Sequence, residues 1–226
     1  MNKDKKILIV EDDPEISTLL HTIIQKTGMG SVQAYSGTEG QLQLQHNTYD
    51  LIILDLMLPG ISGEEFINQI RAKSAIPIIV ITAKVDIEDK VRVLRMGADD
   101  YITKPFNQEE VIARMEVQLR KSAVHSLQTS EKIWRSLNIY PDKLCAYLGN
   151  TELHLTNAEF DILSLFVSNP ERAFSKKEIY ERIWRGTYLG DDNTISVHVS
   201  NLRKKIADIT PDEYIKTIWG IGFMLV

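Results

Sequence analysis

One cysteine, Cys145, serves the whole chain. It leaves no partner for an intrachain disulfide and no companion thiolate for a metal site, so its expected role is packing. Long apolar runs are missing too: nothing approaches the roughly 20 consecutive residues that a membrane-spanning helix needs. The opening segment MNKDKKILIVEDD has a basic flank, but its apolar run covers only residues 7–10 and carboxylates follow at once. A secretion signal is therefore not expected; a cytoplasmic location without a membrane partner is. Positive charge is also short. Against 31 Asp and Glu stand 26 Lys and Arg, a net charge of −5, which argues against binding nucleic acid through bulk charge. Residues 130–226 carry 12 cations and 13 anions, and residues 1–129 carry 14 and 18, so neither half is basic. Any contact with DNA must come from a local surface. Neither an internal repeat nor a low-complexity tract is present.

What the chain does have is length for two domains of roughly 100 residues each. Through residue 121, short β-branched runs alternate with longer segments of helical period, the pattern of βα units around a parallel sheet. Strands are expected at residues 7–10, 32–35, 51–54, 78–81 and 101–103. Between them, Ile16, Leu19, Leu20, Ile23 and Ile24 share one helical face, as do Phe66, Ile67 and Ile70, and then Ile87, Val91 and Leu94. Residues 122–132, SAVHSLQTSEK, are small and polar and are read as a linker. The pattern then changes. Strands are expected at 137–139, 146–148 and 152–155, helices at 157–167, 176–183 and 193–206, and a closing hairpin from 214–218 and 223–225 around Gly220 and Gly222. Strands, three helices and a terminal hairpin describe an α+β winged helix-turn-helix domain.

Carboxylates gather where strands of the first half end. Glu11, Asp12 and Asp13 follow the first strand and Asp55 ends the third; Thr82 and Lys104 end or follow the fourth and fifth. In an open parallel sheet, ligands bind outside the carboxyl ends of the strands, so these side chains are expected to converge. Clustered carboxylates repel one another unless a hard cation neutralises them, and Mg²⁺ is the expected occupant. Lys and Thr are poor ligands for it but good partners for phosphoryl oxygens.

The segments ILIVEDD, DLIILDLMLPGISG, PIIVITA and GADDYITKPF, in this order across residues 5–121, resemble the receiver domain of two-component response regulators. The resemblance implies a (βα)5 flavodoxin-like fold with parallel sheet order 2-1-3-4-5. It implies that Asp55 takes a phosphoryl group from a phosphohistidine of a sensor histidine kinase. Asp12, Asp55 and the Met57 carbonyl would ligate Mg²⁺, with Glu11 bound through water. Lys104 would pair with the phosphoryl oxygens, Thr82 would hydrogen-bond to them, and Tyr101 would turn inward as the switch aromatic. A cis Lys104–Pro105 peptide is expected. Lys90, Asp100, Glu110 and Arg114 align with charges that form intersubunit ion pairs, and Asp99 and Lys121 are read as a further pair of a homodimer interface.

In residues 193–206, Ile195, Val199, Leu202 and Ile206 recur at helical spacing, while His198, Asn201, Arg203, Lys204 and Lys205 form a polar, basic stripe. That is the design of a recognition helix in a major groove. With LTNAEFDILSLF, SKKEIYERIW, residues 185–193 and YIKTIWGIGFML around it, the stretch 133–226 resembles the effector domain of the OmpR/PhoB subfamily. By position, Thr194, Val197 and Asn201 would approach base edges, and Trp184, His198, Ser200, Arg203 and Thr217 would contact phosphates. Promoter DNA with direct repeats, and RNA polymerase beside it, are the implied partners. Trp219 departs from the pattern, since many relatives carry Arg there for the minor groove. Domains are thus expected at 1–121, 122–132 (linker) and 133–226.

Two other classes remain in view. An aspartyl-phosphate hydrolase needs a second acid two residues after its nucleophile, and Met57 occupies that position. The resemblance implies instead no conventional enzyme, only self-directed phosphotransfer and dephosphorylation. A constitutive DNA-binding protein with the receiver as a mere dimerisation module is opposed by the intact set Asp12, Asp55, Thr82 and Lys104.

Overall fold

The computed structural model describes residues 5–83, 86–124, 131–184 and 192–226, with residues 120–124 and 192 described by backbone alone. Five strands, β1 (Lys6–Val10), β2 (Gly30–Ala34), β3 (Leu51–Asp55), β4 (Ile78–Thr82) and β5 (Asp100–Thr103), form one parallel sheet in the order β2-β1-β3-β4-β5. Helices α1 (Pro14–Lys26), α2 (Gly37–His46), α3 (Gly63–Arg71), α4 (Ile87–Arg95) and α5 (Gln108–Val124) connect them. Every residue of β3 and β4 is buried, because helices cover both faces of the sheet, and this is why those strands read as unbroken apolar runs rather than alternating ones. Parallel register sets Asp55 opposite Ile81 and Thr82 opposite Thr103, so the carboxyl ends of the central strands lie side by side. Beneath one face, Ile9, Ile53, Ile79 and Ile81 pack with Leu20, Ile23, Val111 and Met115.

Two of the expected helical faces are narrower than spacing implied. In α1, Leu20, Ile23 and Ile24 are buried but Leu19 is 50% exposed. In α4, Val93 and Leu94 turn inward while Ile87, in the first turn, is 62% exposed. A helix lying on a sheet touches it along a stripe, and residues one step off that stripe face water. Tyr35 likewise lies beyond the end of β2 and is exposed.

The helix α5 continues to Val124, past the expected domain end at residue 121, so the first residues of the expected linker are helical. Ala123 favours helix, and small polar composition alone did not stop it. Residues 125–130 of that linker lie outside the described residues. The chain divides into two units, one ending at Leu119 and the other starting at Arg120.

The second unit opens with an antiparallel sheet of β6 (Lys132–Trp134), β7 (Leu137–Tyr140), β8 (Cys145–Leu148) and β9 (Thr151–Glu152). Helices α6 (Asn157–Val167), α7 (Lys176–Trp184) and α8 (Asp192–Ala207) follow, and β10 (Ala173–Ser175), β12 (Gly222–Leu225) and β11 (Ile215–Ile218) form a second sheet in that order. The short strands β6 and β10 were not foreseen, since three residues cannot show an alternation. The expected strand at 152–155 shrinks to β9, after which Leu153 donates to Ala146 O at 2.8 Å and the chain turns into α6. A capping box starts that helix: Thr156 Oγ1 accepts from Glu159 N, and Glu159 Oε2 accepts from Thr156 N at 2.9 Å. Cys145 is half-buried on β8.

Candidate functional site

The carboxyl ends of β1, β3 and β5 deliver the side chains that the sequence singled out. Glu11 and Asp55 are 1% and 5% exposed, and Asp12 beside them is open to solvent. One carboxylate oxygen from each of Glu11, Asp12 and Asp55 lies within 4.8 Å of the others. Lys104 reaches in from the segment after β5, its Nζ 2.5 Å from Asp55 Oδ2 and 2.9 and 2.8 Å from the two oxygens of Glu11. The peptide joining Lys104 to Pro105 is cis, as expected. Met57 N donates to Asp55 Oδ1 at 3.0 Å, while its side chain is 61% exposed. Asp13 stands apart from the cluster and caps α1, its Oδ1 accepting from Glu15 N and Ile16 N.

Burial is the main force on Glu11; with Asp55 adding to it and Lys104 opposing, the carboxyl is pushed up to about 7. Burial pulls the Lys104 ammonium down, but its hydrogen bonds to Asp55 and Glu11 outweigh that and hold it above the ordinary lysine value. Three carboxylates against one ammonium leave an excess of negative charge in an all-oxygen donor set. That donor set suits a hard divalent cation such as Mg²⁺.

Thr82, at the end of β4, is 3% exposed, and its carbonyl accepts from Lys104 N at 2.8 Å, tying β4 to the lysine's own backbone. Tyr101 is buried on β5 with Lys90 Nζ 4.6 Å from its ring centroid. Close behind Asp55, α3 begins at Gly63, where a Cβ would stand 2.4 Å from the Asp55 carbonyl oxygen. Only glycine allows the helix to approach there.

Of the charges expected at a dimer surface, several are engaged within the chain. Arg114 bonds Asp100 at 2.7 Å and Glu110 at 2.9 Å, and Asp100 is 1% exposed. Asp99 is a correction. It is fully buried and accepts from Arg71 Nη2 at 2.8 Å and Ile78 N at 3.0 Å, so it fastens the fold and is not available to a second subunit. Its supposed mate, the Lys121 side chain, lies outside the described residues. Arg71 also donates to the carbonyls of Gly97, Ser74 and Ile76. Sequence reasoning did not find this clasp, because partners 28 positions apart leave no spacing signal.

On α8 the expected apolar stripe of Ile195, Val199, Leu202 and Ile206 is buried. The stripe is wider than expected, however. Thr194, Val197 and His198 are 3%, 5% and 0% exposed, and Trp184 on α7 is 2% exposed with its ring stacked 5.9 Å from that of His198. These four were expected to meet DNA; they face inward instead, because α8 packs against both α6 and α7. Lys205, also assigned to the outer stripe, bonds buried Glu159 at 2.6 Å. Ser200, Lys204 and Thr217 are exposed, and Asn201 is half-exposed. Arg203, half-buried and held below the ordinary guanidinium value by burial, donates to Ile215 O at 2.9 Å and Thr217 Oγ1 at 2.8 Å. Residues 185–191 of the expected loop lie outside the described residues. Among the described residues, no helix is long and apolar enough to cross a membrane.

Residues 7–116 match the response regulator receiver domain family, and residues 150–225 match the family described as transcriptional regulatory protein, C terminal. YcbL, a transcriptional regulatory protein of Bacillus subtilis (strain 168), is 41% identical over 223 residues, covering 96% of this chain and 99% of its own. From the same organism, the alkaline phosphatase synthesis transcriptional regulatory protein PhoP is 37% identical over 232 residues, covering 98% of this chain and 97% of its own. The crystal structure of DrrB, an OmpR/PhoB homologue of Thermotoga maritima, is 27% identical with a TM-score of 0.51, covering 98% of this chain and 99% of that one.

Proposed function

Since the chain belongs to the two-component response regulators that join a receiver domain to a DNA-binding transcriptional regulatory domain, we propose that Asp55 is its phosphoacceptor and that charging Asp55 controls DNA binding. The observation that carries this is the placement of Lys104 Nζ between Asp55 and Glu11, at 2.5 and 2.8 Å, beside solvent-open Asp12. An Asp55 oxygen attacks the phosphorus of a phosphohistidine on a sensor histidine kinase; the O–P bond forms, the P–N bond breaks, and the imidazole leaves with a proton. Lys104, already bonded to Asp55, follows the negative charge onto the phosphoryl oxygens. Thr82 offers its hydroxyl from the neighbouring strand end. Glu11, Asp12, Asp55 and the Met57 carbonyl would hold Mg²⁺, which when bound neutralises charge on the transferring group.

Phosphorylation replaces one negative charge by nearly two next to Thr82 and Lys104. Tyr101, on the strand beside Thr82, is the residue to register that change. The chain then pairs with a second copy through α4, β5 and α5, where Lys90, Glu110 and Arg114 supply charge and Asp99 does not. Paired effector domains bind direct repeats in promoter DNA through Ser200, Asn201, Arg203 and Thr217, Asn201 reading a base and the others meeting phosphates. RNA polymerase is the onward partner, and the setting is the cytoplasm. The receiver acts on its own phosphoryl group, and no outside substrate is turned over.

The test is to incubate the chain and Asp55→Asn with a small acyl phosphate, with and without Mg²⁺. Intact mass should rise by one phosphate only in the unmodified chain with metal, with promoter affinity rising alongside. An equal mass gain in Asp55→Asn would place the modification elsewhere.

A further inference from the structure

Glu159 is fully buried in the first turn of α6. Its Oε2 accepts from Thr156 N at 2.9 Å and from Lys205 Nζ at 2.6 Å, while Oε1 has no hydrogen-bond partner among the described residues. A capping box needs an acceptor at this position, and glutamine closes one as glutamate does. The negative charge therefore costs desolvation that the cap alone does not require. The cation that answers it is Lys205, 46 positions away on α8, with its side chain 33% exposed.

The place of that cation on α8 matters. Lys205 stands one helical turn after Asn201, so the two share a face, as exposed Ser200 and Lys204 do on the adjoining ridge. Of the three consecutive cations here, Arg203 is tied to β11, Lys205 is tied to α6, and Lys204 projects into water. An unanchored ammonium on a flexible stem, beside an asparagine that reads a base, would follow the nearest phosphates. Resting on the DNA-binding reading above, we propose that Glu159 is a specificity-determining residue: by anchoring Lys205 against α6 it withholds a cation from the phosphates, so that less of the affinity is independent of sequence. On random DNA, α8 is able to shift until a freed Lys205 finds a phosphate. Where Asn201 meets its base the register is set, and the same ammonium has fewer phosphates in reach. Glu159 acts on the DNA through Lys205 and never touches it.

The probes are a random-sequence duplex and duplexes enriched from a random library by the unmodified full chain, with affinity measured over a series of KCl concentrations. Glu159→Gln keeps an acceptor for the cap and removes the charge. It should bind the random duplex about 5-fold more tightly at about 0.15 M KCl, with the slope of log affinity against log salt steeper by about 0.9. The enriched duplexes should gain less. Adding Lys205→Gln to Glu159→Gln should return the slope to that of the unmodified chain, and Lys205→Gln alone should leave it there. Partial unfolding lowers affinity without adding a phosphate contact, so a merely structural role for Glu159 does not steepen the slope. An unchanged slope in Glu159→Gln overturns the proposal. So does a shallower slope in Lys205→Gln alone, which would place Lys205 on phosphate already. An equal gain for both kinds of duplex also overturns it, since Glu159 would then set general affinity and not specificity. Failure of the unmodified chain to enrich any duplex overturns the DNA-binding reading itself, a separate result from loss of the Glu159 effect.

Discussion

The two halves of the chain handle buried charge differently. Among the described residues, Glu11, Asp55, Asp99, Asp100 and Glu159 are buried carboxylates, and all but Glu159 belong to the receiver domain. Two of those four, Glu11 and Asp55, share Lys104 at the open end of the sheet, where charge can be added and answered. Asp99 is locked by Arg71 and backbone at the opposite end of β4. The effector domain keeps its chemistry on the outside, and its buried Glu159 closes a helix cap with Lys205. A phosphoryl switch needs charge held where water is scarce, because interactions strengthen there; a DNA-reading surface needs donors left free to trade water for phosphate.

This contrast can be broken most forcefully at the clasp. Arg71→Met leaves Asp99 buried without its cation and should destabilise the receiver by about 3–5 kcal/mol, read by urea denaturation. A loss under about 1 kcal/mol would show that buried charge there is not fastening anything. Next comes His198. Its burial against Trp184 predicts that His198→Ala costs about 2 kcal/mol in effector stability. Unchanged stability with weakened DNA binding would instead return it to the outer surface.

Glu11 gives a pH signature. Its folded value of about 7 lies above the ordinary 4.5, so the folded state holds a proton that the unfolded state releases. In EDTA, the stability this group contributes is complete below about pH 4.5 and is lost as pH rises through about 7. The difference between wild type and Glu11→Gln over that window should be on the order of 1–2 kcal/mol, less than the full shift implies because Asp12 opens the site to water. A flat difference would remove Glu11 from the coupled cluster. Smallest of all is Arg92, whose pairs with Glu64 and Asp89 lie at the surface. Arg92→Ala should cost less than about 0.5 kcal/mol, which thermal unfolding in added salt should shrink further.

The difference also explains how much could be seen in advance. Strand ends are reliable markers: a run such as LIILD tells where β3 stops, and parallel register then brings Asp55, Thr82 and Lys104 to one edge. The expected cluster of Glu11, Asp12 and Asp55 followed from that, whereas the sheet order rested on the resemblance to receiver domains. Helix spacing is a weaker marker, because it fixes which residues share a face but not how wide the covered face is. Packing of α8 on both α6 and α7 buried Thr194, Val197 and His198 along with the apolar stripe. Asp99 was read as an interface charge because Arg71, its actual partner, is distant in sequence and carries no motif.

Arg203 has one more consequence. By donating to both the carbonyl of Ile215 and the hydroxyl of Thr217, it ties helix and hairpin together at a set spacing, like the two arms of a caliper. Under the proposed reading, in which both elements meet one duplex, the work of fitting that fixed spacing falls on the DNA and favours steps that deform easily even where no side chain touches a base.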